Sequence, residues 1–102
     1  MWRNNVTPQL IPSLYADAEQ ALLATFDIDV VDGAWAPGVS TPAVGGLTNE
    51  LWLAAAYQAG RSNRVMSFDL CEVNPVYDVD GRTARLAAVT VWQLLRGLAE
   101  RE

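Results

Sequence analysis

The sequence contains no histidine and no lysine. Without imidazole, a metal site made from this chain alone has only carboxylates and carbonyls to offer. That set suits magnesium, calcium or manganese far better than zinc. The chain also lacks the side chain that titrates near neutrality, so it has no imidazole for acid–base work. All seven basic residues are arginine, against twelve acidic ones, for a net charge of −5. An acidic chain with no basic cluster fits neither nucleic acid nor an anionic membrane surface. No apolar run approaches the length of a membrane span, and the N-terminus has no basic region followed by an apolar core. The expected location is therefore the cytoplasm. The single cysteine, Cys71, cannot form an internal disulfide, lies within an apolar run and reads as a buried structural thiol.

What is present is apolar: 51% of 102 residues, enough for one small domain at most. The chain is organised around Thr25-Phe-Asp-Ile-Asp-Val-Val-Asp-Gly33 and the turn that follows it. Leu22–Val31 is short, β-branched and aromatic near its end, and Asp32-Gly33 closes it. It reads as a strand buried on both faces, as in a parallel sheet. Alternation along a strand puts Asp27 and Asp29 on one side, with Cα atoms roughly 6.5 Å apart. Two such carboxylates repel each other and are costly to desolvate, and a divalent cation between them removes both penalties. The end of a parallel strand is also where α/β folds place ligands.

The remaining elements follow in order. Residues 1–20 carry Pro8 and Pro12 and read as a frayed lead-in. Asp32 to Leu47 is a long glycine- and proline-rich loop in which Trp35 requires cover, so the loop is expected to pack down. Thr48 caps a helix that Gly60 ends, with Leu51, Trp52, Ala55 and Ala59 as its apolar face. Val65–Val73 is a second buried strand stopped by Asn74-Pro75, with Asp69 and Glu72 on opposite faces. A final helix runs from about Arg82 to Glu100, capped by Asp78 or Asp80. Its expected apolar face is Ala84, Ala87, Ala88, Val91, Leu94, Leu95 and Leu98, widened by Trp92. Arg82 and Arg85, in its first turn, read as solvated or structural. The sum is α/β: a β–loop–α–β–α unit with parallel strands. Two helices cannot cover two faces and two edges, so the chain is expected to be the C-terminal part of a larger α/β domain, or to need a partner.

Taken alone, Asp27-x-Asp29 has three readings: strand-end caps, a phosphatase of the haloacid-dehalogenase type, or half of a two-metal hydrolase site. The phosphatase wants a cation, usually lysine, on the transferred phosphate, and there is none. The whole string decides. Phe26-Asp-Ile-Asp-Val30, Ala36-Pro-Gly-Val-Ser-Thr-Pro42, Gly45-Gly-Leu-Thr48 and Glu72-Val-Asn-Pro75 occur in order. Together they resemble the C-terminal third of the ureohydrolases, the family of arginase, agmatinase and formimidoylglutamase. Within that family, Ala36–Ser40 and Asp78–Ala88 look most like formimidoylglutamases.

The resemblance implies a partial three-layer α/β/α arginase-like fold with a binuclear manganese centre (Mn2+). It carries metal ligation onto Asp27 and Asp29, and contact with the substrate's cationic amidine or guanidinium group onto Glu72. A carboxylate there offers charge-assisted, bidentate contact to a planar N–C–N cation. The implied reaction is hydrolysis of a non-peptide C–N bond in a linear amidine, by hydroxide made available at the metals. The implied partners are that small-molecule substrate and, within a full-length enzyme, further copies of the chain; neither nucleic acid nor membrane is implied. Two departures bear on activity. Gly33 stands where the family usually has proline, and the histidine-containing motifs that complete the metal site are absent. The isolated chain is expected to be inactive. A non-catalytic remnant or interaction module that pairs with a partner is the rival expectation.

Overall fold

The structure, a computed structural model, describes residues 11–12, 15 and 20–101. Strand β1 (Leu22–Asp27) leads through a single 3-10 turn (Ile28–Val30) into the long loop. Helix α1 (Asn49–Arg61), strand β2 (Val65–Cys71) and helix α2 (Arg82–Ala99) follow. β1 and β2 pair in parallel, with Ala24 opposite Phe68, Phe26 opposite Leu70 and Asp27 opposite Cys71. The register slips between Leu22 and Leu23, which leaves Met66 unpaired in β2. The expected β–loop–α–β–α order with parallel strands is present.

The first strand is shorter than its composition suggests. Asp27 turns its carboxylate back to accept the amide of Asp29 at 3.1 Å. That local bond competes with the ladder and tightens the chain into the 3-10 turn, so the strand ends at Asp27 instead of Val31. Nor are the strands buried on both faces. Phe26 points into the core while Leu23 is 68% exposed, and most of β2 is exposed.

Helix α1 begins as expected, with the Thr48 hydroxyl accepting the Leu51 amide at 3.2 Å. It does not end at Gly60. Gly60 lies inside the helix, where α1 crosses α2 at Gly97 with no room for a side chain on either. The end of α1 is held from the far terminus of the chain: Arg101 donates to the carbonyls of Gly60 (2.9 Å) and Val65 (3.2 Å). The buried face of α1 is Trp52, Ala56, Ala59 and Gly60, one step round from the expected stripe.

Helix α2 is capped from the preceding turn. The Asp78 carboxylate accepts the amides of Thr83 (3.0 Å) and Ala84 (2.9 Å), and Asp80 accepts that of Arg82 (3.1 Å). Its inward face is Thr83, Leu86, Thr90, Leu94 and Gly97. Of the expected stripe, Leu94 is buried and Ala87 packs against the core, while Ala84, Ala88, Val91, Leu95 and Leu98 face out, as does Trp92. The reason is the close crossing at Gly97, which sets the rotation of α2, together with two threonines whose hydroxyls are satisfied inside.

One of those threonines anchors the core. Trp52 packs edge-on against Phe26, with ring centroids 5.3 Å apart, and donates its indole N–H to the Thr90 hydroxyl at 2.7 Å. Thr90 in turn donates to the Leu86 carbonyl at 2.6 Å. Thr90→Val keeps the shape but orphans the buried indole N–H, so a loss of about 1–3 kcal/mol is expected in urea denaturation. Thr90→Ser should recover most of it; equal loss in both variants would assign the effect to packing instead.

Most of the lead-in lies outside the described residues. Of those described, Ile11 is buried and the Tyr15 hydroxyl donates to the Ala55 carbonyl at 3.0 Å. Burial pushes the Tyr15 hydroxyl up to about 12, so it remains a donor.

Candidate active site

The C-terminal ends of two adjacent parallel strands meet at Asp27 and Cys71. Beyond Cys71 the chain does not continue as a strand. Glu72 has φ +80°, a left-handed conformation that an L side chain adopts at a cost of about 1–3 kcal/mol. Strand alternation therefore does not set its direction. One ligand atom each from Asp27, Cys71 and Glu72 lie within 4.8 Å of one another. Asp29 reaches this group through Asp27. Its carboxyl is pushed above the ordinary range, first by a side-chain hydrogen bond with Asp27, then by desolvation and by the charges of Asp27 and Glu72. So Asp27 and Asp29 do meet, although Asp29 sits in a 3-10 turn and not on the strand.

Cys71 is half-buried at this site, with its thiol 3.8 Å from the Phe26 carbonyl. Desolvation raises its pKa, and the carboxylates of Asp27, Asp69, Glu72 and Asp29 raise it further. Raised in this way, the thiol favours its neutral form in the metal-free site. The carboxylate oxygens beside it are the donors that would suit a hard divalent cation. Crowding of like charge also fits: a cation would relieve the penalty that now raises Asp29.

The rim is built from two loops stapled together. Asp32 gathers the first loop, accepting amides from Ala34 (3.0 Å), Gly45 (2.9 Å) and Gly46 (3.1 Å). Backbone bridges join Val31 to Leu47 and Asp32 to Ala43. Ala36 and Val39 are buried, so the loop does pack down, with Trp35 at its margin. Gly38 then joins it to the second loop. Its amide donates to the Thr83 hydroxyl at 2.7 Å and its carbonyl accepts the Asn74 amide at 2.7 Å. A Cβ at Gly38 would lie 2.5 Å from the Asp78 Cβ, so only glycine allows this approach. The Asn74 side chain also donates to Ser40 at 3.1 Å.

Arg82 is structural, as expected. It pairs with Asp80 at 2.7 Å and donates to the Ala34 carbonyl at 3.1 Å, tying the two loops once more. Asp78 and Asp80 both lie below the ordinary range. For Asp78, desolvation works upward, but the Thr83 and Ala84 amides outweigh it; for Asp80 the Arg82 side chain is the main cause. Two clefts on the described surface, one beside Tyr15 and Gln58 and one beside Tyr57 and Arg96, contain none of the site carboxylates. At the site Asp27 and Cys71 are half-buried and Glu72 is exposed. Sequence reading missed Asp32, Asn74 and Thr83 as its supports. Asp-Gly and Asn-Pro mark the first two as turn residues, whereas nothing local marks Thr83.

Comparison with known proteins bears on the whole chain. The arginase-family profile matches residues 3–96. The formimidoylglutamase of Staphylococcus aureus is 38% identical over 95 residues, 91% of this chain and 30% of that protein. That of Aromatoleum aromaticum is 45% identical over 80 residues, 78% of this chain and 24% of that protein. A formiminoglutamase of Trypanosoma cruzi, solved with Mn2+, superposes with a TM-score of 0.88 at 26% identity, over 98% of this chain and 34% of that one. The chain thus spans about a third or less of the length of these relatives. Its parallel strand pair, its paired strand-end carboxylates and a profile match across nearly all of its length agree: this chain belongs to the arginase family.

Proposed function

We propose that the chain forms the C-terminal part of a manganese-dependent hydrolase acting on the non-peptide C–N bond of a linear amidine, formimidoylglutamate in the first place. The observation that carries this is the convergence of Asp27, Asp29 and Glu72 at the ends of β1 and β2. Asp27 and Asp29 would hold the metal, which would supply Lewis acidity and lower the pKa of water so that hydroxide is available to attack carbon near neutral pH. Glu72, exposed and turned by its left-handed backbone, receives the substrate's planar cation. The two stapled loops shape the mouth around it. The similarity to formimidoylglutamases in two organisms supports the substrate.

The metal needs more ligands than these residues provide, so the chain by itself should give no turnover. The test is a chimaera in which this chain replaces the matched segment of the Staphylococcus aureus formimidoylglutamase. With Mn2+ it should release glutamate from formimidoylglutamate. Glu72→Gln should lower kcat/KM about 10- to 100-fold, the worth of a hydrogen bond to a charged group. Preference for arginine or agmatine would overturn the substrate assignment. A folded, manganese-loaded chimaera that hydrolyses none of the three would overturn the reaction.

A further inference from the structure

Glu72 stands between two fixed points. On one side, Cys71 is paired with Asp27 at the end of the sheet. On the other, Asn74 has its backbone and side-chain polar groups all engaged. Its amide donates to the Gly38 carbonyl at 2.7 Å, and its carbonyl accepts the Tyr77 amide at 3.1 Å. Its side-chain oxygen accepts the Val76 amide at 3.1 Å, and its side-chain nitrogen donates to the Ser40 hydroxyl at 3.1 Å. Val73, between Glu72 and Asn74, packs against the core. The loop that Asn74 grips is itself fixed. Val39 is buried, and Gly38 donates to the buried Thr83 hydroxyl and abuts Asp78, which caps α2.

A left-handed backbone at a residue other than glycine persists only where its surroundings over-determine it. The Glu72 side chain is exposed, so the constraint reaches it along the chain from its neighbours. The direction matters. Continued as a strand, residue 72 would alternate to the face opposite Cys71, the face of Leu70 and Phe26, away from the Asp27 carboxylate. At φ +80° its carboxylate instead lies with those of Asp27 and Cys71's thiol, within 4.8 Å. We propose that Asn74 is the positioning residue for Glu72: by clamping its turn to Gly38 and Ser40, it holds the left-handed backbone that brings the Glu72 carboxylate to Asp27. What Glu72 meets there rests on the functional reading above; its conformation does not.

The conformation is tested by NMR on the 102-residue chain. At positive φ, uncommon outside glycine, a residue's amide proton and Hα lie close together, so the parent should show a strong contact between the two at Glu72. Asn74→Ala should weaken it, Ser40→Ala should weaken it less, and Ser40→Thr, which keeps the hydroxyl, should restore it. Ser40 is exposed, so its two variants decide the matter even if Asn74→Ala does not fold. A Glu72 contact as strong in Ser40→Ala and in any folded Asn74→Ala as in the parent overturns the proposal. The consequence for turnover is read in the chimaera. Asn74→Ala should lower kcat/KM for formimidoylglutamate about 10-fold or more, and Ser40→Ala about 3-fold, as the loss of two and of one neutral hydrogen bonds implies. In a Glu72→Gln background the same Asn74→Ala should cost about 2-fold or less, because a residue that acts through Glu72 has nothing left to aim. Equal losses in both backgrounds would make Asn74 a general support of the fold and overturn the proposal. A parent chimaera that hydrolyses nothing refutes the reaction, while the Glu72 contact still decides the positioning.

Discussion

Gly97→Ala is expected to lower the unfolding free energy by about 3 kcal/mol or more, at the upper end of what an added methyl group costs in a packed interior. A Cβ on Gly97 would stand 2.2 Å from the Tyr57 carbonyl oxygen and 2.9 Å from the Arg61 amide. Gly60 is the mirror case, 2.1 Å from the Leu94 carbonyl oxygen and 2.9 Å from the Leu98 amide. The obstacles are backbone atoms in helices and cannot rotate away. The two helices must move apart, which loosens Trp52, Ala56, Ala59 and Leu94, all buried where α1 meets α2 and the sheet. Against a typical domain stability of about 5–15 kcal/mol, that is a large fraction. Gly81→Ala is the contrast. Gly81 has φ +75°, but a Cβ there would meet nothing within 4 Å, so its cost is only the left-handed backbone, about 1–2 kcal/mol. Urea denaturation of the three variants gives the ranking. Equal midpoints for Gly97→Ala and Gly81→Ala would mean that the helices do not cross this closely.

Asp29→Asn is expected to act with opposite signs on binding and on folding. Manganese affinity of the assembled site should fall about 100-fold or more, because loss of even an outer partner of a metal ligand costs 10- to 100-fold. The metal-free chain should meanwhile unfold at the same or a higher denaturant concentration. The Asp29 carboxyl is raised above its unfolded value by Asp27, by desolvation and by Glu72. A group raised in this way contributes stability that is complete below the ordinary aspartate pKa of about 3.9 and is lost as pH climbs through the raised value. At neutral pH the ionised pair therefore opposes folding, and a neutral side chain at position 29 removes the repulsion. By the same sign, manganese should be lost on acidification at a higher pH than an ordinary carboxylate site would lose it, and Mn2+ electron paramagnetic resonance against pH reads this directly. A fall in stability on Asp29→Asn at neutral pH would show that the pair does not repel.

Both results depend on features that differ in how far they can be read from residue order. Thr48 as a cap, Asn74-Pro75 as a strand stop and Asp78 and Asp80 as caps of α2 are all local. Each is decided by a side chain and the few amides next to it; the caps stand in the structure as the sequence implies, while β2 stops at Cys71, before Asn74-Pro75, where Glu72 turns left-handed. Composition is equally direct: with no histidine, this chain has no imidazole to offer a metal. The four ordered motifs around Asp27, Asp29 and Glu72 place the chain in its family without any coordinates.

What the sequence could not decide is what depends on contacts between distant segments. Gly60 looks like a helix terminator until Gly97, on another helix, shows it to be a crossing point. Helix α2 carries two stripes at helical spacing, and hydrophobicity favours the one that faces out. The buried stripe includes Thr83, whose hydroxyl accepts the Gly38 amide, and Thr90, whose hydroxyl is satisfied by Trp52 and Leu86. Asp27 ends its strand by capturing the amide of Asp29, and Glu72 meets it only because its backbone is left-handed. Local residue order thus determined the elements, the family and the ligand chemistry, since these follow from side-chain type and near spacing. Tertiary structure alone decided which faces are buried and how the carboxylates converge, because polar burial and close backbone approach are settled only by the partner across the contact.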